Sequence, residues 1–198
     1  MQIHKVAVIG SGVMGSTIAA HLANAGIPSL LLDIVPSKLS AKEEAAGLTL
    51  EDRKVRNSIA ETNKTKMLKM NPAPFLVPEF AERIEVGNLS DDLGRLSEVD
   101  WVIEVVVERL DIKVDLFKKI AANVRPGTIV SSNTSGISLK AMVEGLPESF
   151  TQYFLGTHFF NPPRYMKLLE IIPGPNTDPK IMTFLSEFGE RVWVKELS

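Results

Sequence analysis

In "FLGTHFFNPPRYMKLLEII", residues 154–172, a single histidine, His158, interrupts an apolar, strand-like run. A turn marked by Asn161-Pro162-Pro163 follows, and a second apolar run carries one acid, Glu170, near its end. An imidazole with a carboxylate partner has two ordinary uses. It can be a hydrogen-bonded core histidine in a hairpin. It can also be a base for proton transfer, because an unperturbed imidazole has a pKa of ~6.5 and is available in its neutral form near pH 7. If the two runs are neighbouring strands, the histidine and the acid can meet across them. The pattern alone leaves both uses open.

A second group stands near the N-terminus. "VAVIGSGVMGSTIAAHLANAG" contains G-x-G-x-x-G at Gly10, Gly12 and Gly15, directly after a strand-like run and at the start of a helical one. In that context Gly10 permits a tight turn, Gly12 lets the backbone approach a pyrophosphate, and Gly15 lets helix and strand pack closely. The amides of the first helical residues, Val13 and Met14, and the positive end of the helix dipole then face the phosphates. Asp33 ends the next strand. A carboxylate there accepts hydrogen bonds from the adenosine ribose and repels a 2′-phosphate, so the expected cofactor is NAD rather than NADP.

These residues need a scaffold. Ile3–Ile9 reads as a buried strand, Val13–Ala25 as a helix with Gly26 just past its end, and Ser29–Asp33 as a second strand, which together make one βαβ unit. Residues 36–70 form a Lys-, Glu- and Ala-rich helical excursion, broken near Gly47 or within Asn57–Asn63. Strands are expected at Ile84–Val86, Trp101–Val106, Thr128–Ser132, Phe154–Phe160, Lys167–Ile172 and Arg191–Val194. Helices are expected at Asp111–Val124 and Leu139–Gly145, and from about Pro179 to Phe188. The expected architecture is α/β: a Rossmann-type, doubly wound, mostly parallel sheet with a helical insertion after the second strand, forming one NAD-binding domain over residues 1–198.

Composition excludes several classes. The chain has 198 residues, and 44% of them are hydrophobic, enough for a sizeable core without staples. A net charge of −2 gives no reason to expect nucleic acid as a partner. There is no cysteine, so thiol catalysis and disulfides are out. Three histidines with no close pair argue against a zinc site, and no metal is expected. No apolar run approaches the roughly 18 residues of a membrane span, and the N-terminus reads directly into a strand without a signal peptide. Cytoplasmic location is the default expectation.

Ligands of such sheets lie at the carboxyl ends of the strands. "VIEVVVERLDIK" places Glu108 just past a strand and Lys113 at the start of a helix; taken alone, they read as a solvated surface ion pair. "SSNTSGISL" places Asn133, Thr134 and Ser135 after the next strand, either as an Asx turn or N-cap or as groups facing a substrate. His158 and Asn161 follow the same rule at the next strand end.

Taken in order, "IGSGVMGSTIA", "EVVVERLDIKVDLFKKI", "SSNTSGISL" and "GTHFFNPPRYMKLLEII" resemble the NAD-binding domain of the L-3-hydroxyacyl-CoA dehydrogenases of fatty-acid β-oxidation. The resemblance covers essentially the whole chain. It implies that His158 is the general base, that Glu170 orients it, and that Ser135 stands beside the substrate oxygen and nicotinamide. It makes Glu108, Lys113 and Asn161 cofactor or active-site contacts and acyl-CoA the substrate. Family members continue into a helical second domain that carries an active-site asparagine, much of the dimer interface and part of the acyl cleft. The resemblance therefore implies a fragment, weakly active alone, of a homodimer or a multi-domain chain. Departures are Pro163-Arg164-Tyr165 in place of V-P-V and Gly136 in place of a frequent serine; they bear on the acyl pocket and look closer to the long, multi-domain members.

The excursion carries a basic excess: Arg53, Lys54, Arg56, Lys64, Lys66 and Lys69 against Glu61. Most of it reads as a solvated helix face. By the resemblance, Lys54 and Arg56 are weak candidates for the phosphates of coenzyme A. Two other readings are a dehydrogenase for another small hydroxy acid on the same scaffold and a non-catalytic, structural NAD-binding relative.

Overall fold

The computed structural model describes residues 1–166 and 168–194, apart from the side chains of residues 193 and 194. A seven-stranded sheet runs in the order β3-β2-β1-β4-β5-β6-β7. Its strands are β1 (Val6–Ile9), β2 (Ser29–Asp33), β3 (Ile84–Asn88), β4 (Trp101–Glu104), β5 (Ile129–Ser132), β6 (Phe154–Phe159) and β7 (Leu169–Pro173). β1 to β6 are parallel, and β7 pairs antiparallel with β6 at one edge. This is the expected Rossmann-type sheet. The order reverses between β1 and β4, which opens a crevice at their carboxyl ends.

Alternate residues of the apolar strands serve two cores, because both faces of the parallel sheet are covered. Val6, Val8, Leu31, Trp101 and Ile103 face α1 (Val13–Asn24) and the C-terminal helix. Ala7, Ile9, Leu30, Leu32 and Val102 face the helix Leu110–Asn123, through its Leu116, Phe117 and Ile120. α1 ends as expected, with Gly26 at φ +81° beyond Ala25.

The excursion is three short helices, α2 (Ala41–Ala45), α3 (Arg53–Arg56) and α4 (Ser58–Met67), followed by a 3-10 turn, Pro78–Arg83. It breaks at Gly47 and at Asn57, while Asn63 lies inside α4. Ser40 and Glu43 form a capping box that starts α2. Val55, Ala60 and Met67 anchor the rest, and Lys64 Nζ donates to the Ile84 carbonyl at 2.7 Å.

The later helices are α5 (Leu110–Asn123), α6 (Leu139–Met142), α7 (Glu148–Thr151), α8 (Pro163–Met166) and α9 (Pro179–Val194). Two expectations are corrected here. Arg191–Val194 is not a strand but the last turn of α9. Its β-branched and aromatic residues favour a strand locally, but the stripe Ile181, Leu185 and Phe188 packs on the sheet and carries the helix onward. β4 stops at Glu104 rather than Val106, because the Glu104 carboxylate accepts the Val106 amide at 2.7 Å and turns the chain. Lys167, the first residue of the expected seventh-strand run, lies outside the described residues.

His21 is buried on α1. Burial, and then the Arg164 charge, push its ring down from 6.5 to about 4. The unfolded ring takes up its proton near 6.5 and the folded ring only near 4, so the unfolded state binds more protons in between. Stability from a neutral His21 is complete above pH 6.5 and is lost as pH falls toward 4, by about 3 kcal/mol in all. Denaturant unfolding across this window should show a markedly flatter acid slope for His21→Gln than for the native chain; equal slopes would contradict the assignment.

Candidate active site

The glycine loop joins β1 to α1. Gly10 has φ +100°, and a Cβ there would lie 2.6 Å from the Val105 carbonyl oxygen. A Cβ on Gly15 would lie 1.7 Å from the Gly10 carbonyl oxygen, so the first turn of α1 packs directly on the loop. A Cβ on Gly12 would meet nothing within 4 Å. Gly12 caps α1 without a side-chain acceptor, and the first turn holds no acid. The amides of Val13 and Met14 and the positive end of the helix dipole are thus left for an anion.

A cleft of about 630 Å³ opens beside this turn, lined among others by Gly10, Gly12, Asp33, Asn63, Val106 and Ile112. Asp33 Oδ2 accepts from the Ser11 amide at 2.6 Å and the Ser11 hydroxyl at 2.5 Å, and Oδ1 accepts from the Ile34 amide at 2.7 Å. Asn63, from the excursion, donates to Ser11 Oγ at 2.9 Å. The carboxylate is therefore held at the end of β2 before any ligand arrives. These residues fit a dinucleotide: a turn that only glycine can make, an open Gly12, and a fixed acid at the end of β2 on the wall of the same cleft. Ser11 and Asn63 were not legible as site residues, since one is a variable position of the glycine motif and the other lies on a distant helix.

The second half of the site is built on β5, β6 and β7. His158 and Glu170 are direct partners in the β6–β7 register. His158 Nδ1 lies 2.9 Å from Glu170 Oε2, and Nε2 lies 3.3 Å from Ser135 Oγ. A carboxylate only accepts, so Nδ1–H is the donor, and in the neutral ring Nε2 is left with its lone pair. The imidazole is 24% exposed, within reach of a ligand. The Phe160 ring packs against it at 4.7 Å. Asn133 Oδ1 accepts the Phe159 amide at 2.9 Å, tying the loop after β5 to β6. The cap of α6 is Ser138, not Asn133. Asn161 stands with Val13 and Thr17 around a smaller hollow of about 170 Å³, closed on its other side by Met70, Pro72 and Pro74.

Glu108 and Lys113 are not a solvated surface pair. Lys113 is 1% exposed and makes its closest ion pair with Glu104, itself 0% exposed, at 2.6 Å. Its ammonium lies 3.3 Å from Glu108 Oε2. Glu108 Oε1 accepts from the Thr134 hydroxyl and from the amides of Ser135, at 3.1 Å, and Gly136, at 3.3 Å. Burial pushes the Glu108 carboxyl up, but the Thr134 hydroxyl, the Lys113 charge and the two amides outweigh it and hold the group below the usual carboxylate range. The missed signal was an acid, Glu104, inside the apolar run "WVIEVVV": a charge so placed needs a buried partner.

Of the two excursion candidates, Lys54 is exposed. The Arg56 guanidinium is engaged by Asp91 through two 2.7 Å hydrogen bonds, which, with the Asn88 amide, hold the Asp91 carboxyl down at about 2. Among the described residues there is no cluster of three or more metal-binding side chains, and no helix is long and apolar enough to cross a membrane.

Residues 5–196 match the family described as 3-hydroxyacyl-CoA dehydrogenase, NAD binding domain. The chain belongs to that family. Its members are enzymes and their cofactor is NAD. A Bacillus subtilis (strain 168) protein named "Probable 3-hydroxyacyl-CoA dehydrogenase" is 54% identical over 96% of this chain and 24% of its own length. The "Fatty acid oxidation complex subunit alpha" of Acinetobacter baylyi is 36% identical over 88% of this chain and 22% of its own. The chain thus spans about a quarter of each of these relatives. The crystal structure of 3-hydroxybutyryl-CoA dehydrogenase from Escherichia coli K12 superposes with a TM-score of 0.70 at 30% identity, over 98% of this chain and 37% of that one.

Gly12→Ala should leave the thermal midpoint nearly unchanged yet weaken NADH binding about tenfold or more, since only the approach of the pyrophosphate is blocked. Gly15→Ala should lower stability and binding together. A fluorescence titration with NADH and a thermal melt check both; native-like affinity in Gly12→Ala would contradict the assignment of this turn.

Proposed function

We propose that this chain is the cofactor-binding part of an enzyme that moves a hydride between NAD and C3 of 3-hydroxyacyl-CoA or 3-oxoacyl-CoA, within fatty-acid β-oxidation. The observation that carries this reading is the His158–Glu170 pair at 2.9 Å, with Nε2 turned toward Ser135. The reaction class is supported by the family and by the relative named as a fatty acid oxidation complex subunit.

Oxidation of the secondary alcohol requires loss of its hydroxyl proton. His158 Nε2 accepts that proton, and Glu170 holds the ring in the required tautomer and stabilises the imidazolium that forms. Ser135 Oγ, beside Nε2, hydrogen-bonds the same substrate oxygen. In the reverse direction the imidazolium returns the proton to that oxygen. NAD, when bound, supplies the acceptor or donor of the hydride. Gly10, Gly12, Gly15, Val13, Met14 and Asp33 hold it, and Glu108 and Asn161 complete the cofactor side, with Lys113 buried behind Glu108. The excursion flanks the coenzyme A end, where exposed Lys54 is the better phosphate contact and Arg56 the weaker, being held by Asp91. A further, helical domain completes the acyl cleft, so full turnover belongs to the full-length protein and the 198 residues alone turn over poorly.

The test is NADH oxidation with acetoacetyl-CoA by the full-length protein. His158→Ala should reduce kcat by about 10²–10⁴, with NADH affinity unchanged. Glu170→Gln should reduce kcat by about tenfold or more, also without loss of NADH binding. Turnover of His158→Ala within about twofold of native would refute the proposal.

A further inference from the structure

The proposed chemistry gives no use to Glu104. It is fully buried at the end of β4, between Ile9 of β1 and Ser132 of β5 in the parallel register. A buried ion pair is seldom worth more to stability than apolar side chains of the same volume. Stability alone therefore does not account for a Glu–Lys pair in this core.

Its connections do. Glu104 Oε1 accepts from Lys113 Nζ at 2.6 Å and from the Val106 amide at 2.7 Å. Oε2 accepts from Lys113 Nζ at 2.9 Å and from Ser132 Oγ at 2.5 Å. Each oxygen thus has two donors. Two protons of the ammonium are directed at Glu104, and the remaining charge faces Glu108 Oε2 at 3.3 Å. The other oxygen of Glu108 gathers the Thr134 hydroxyl and the Ser135 and Gly136 amides. Ser135 in turn stands against His158. On its other side Glu104 fixes the Val106 amide, and Val105, Val106 and Val107 line the cofactor cleft.

We propose that Glu104 is a positioning residue that acts through Lys113 on Glu108, holding the Thr134–Gly136 loop so that Ser135 meets His158, and through Val106 on the wall of the cofactor cleft. The roles of Ser135 and His158 in this inference rest on the dehydrogenase reading above; the cleft wall does not. A neutral isostere exposes the mechanism. Glutamine at this place keeps the shape but loses the charge and turns an amide NH₂ toward Lys113 Nζ, which only donates, and toward either the Val106 amide, which also only donates, or the Ser132 hydroxyl, which would have to reverse its bond.

The experiment compares the full-length native protein with Glu104→Gln, Glu104→Asp, Lys113→Met and the Glu104→Gln/Lys113→Met double variant. Each is measured by steady-state kinetics with acetoacetyl-CoA and by NADH titration. Glu104→Gln should lower kcat about tenfold or more, change the KM for acetoacetyl-CoA less than about threefold, and weaken NADH binding about threefold. Glu104→Asp, which keeps the charge, should recover part of kcat. In the Lys113→Met background the Gln substitution should cost kcat less than about twofold, because its path is already cut. A kcat for Glu104→Gln within about twofold of native, or equal losses in both backgrounds, would overturn the proposal. If Glu104→Gln does not fold, a native kcat in Glu104→Asp overturns it. If the native protein binds NADH but turns over no acetoacetyl-CoA, the dehydrogenase reading fails by itself. NADH affinity then decides Glu104, and an unchanged value in Glu104→Gln counts against it.

Discussion

His158 faces Glu170 because β6 and β7 pair antiparallel with those two residues directly opposite one another. Side chains alternate across a sheet, so a slip of one residue would send the acid to the other face and leave the imidazole unsteered. Several contacts hold the register. A Cβ on Gly156 would lie 3.2 Å from Ile172 Cβ, so the strands meet closely where glycine stands. Thr177 accepts the Gly174 amide at 2.7 Å and donates to the Phe154 carbonyl, clamping the far end of β7. Asn133 fixes Phe159 from the β5 side. The chemistry thus depends on ordinary strand pairing at the single antiparallel edge of an otherwise parallel sheet.

A run of charged and polar contacts joins the two halves of the site, beside the apolar core that spans them. Glu104 and Lys113 sit under the carboxyl ends of β4 and β5, where the crevice opens, and Glu108 passes their influence to the loop that carries Ser135. Removing one member of such a buried pair leaves an uncompensated charge and costs about 3–5 kcal/mol, whereas replacing both with apolar residues is often neutral. An arrangement so costly to break and so readily replaced is better understood as alignment than as glue. On the opposite side the Asp33–Ser11–Asn63 run ties the helices of the excursion to the glycine turn.

Much of this was legible in the residues, and the gaps have physical causes. The glycine turn and Asp33 could be read directly, because backbone geometry there tolerates few alternatives. The buried strands could be read because a sheet covered on both faces demands continuous apolar runs. The last turn of α9 could not, since "RVWV" favours a strand locally and only packing of Ile181, Leu185 and Phe188 on the sheet reveals the helix. Lys113 was misplaced on the surface because spacing along the chain does not show that Glu104, nine positions earlier on a buried strand, lies beneath the first turns of α5. The dyad was legible as a pair of suitable groups, while its register required coordinates.

The central claim is that the Glu170 carboxylate holds the proton on Nδ1 of His158 and leaves Nε2 free to act as base. Nitrogen NMR of the ring-labelled protein at neutral pH measures this directly. The account predicts that the neutral form of the ring carries its proton on Nδ1, and that this preference is lost in Glu170→Ala. A proton resident on Nε2, or a ring whose signals do not respond to the change at residue 170, would contradict it.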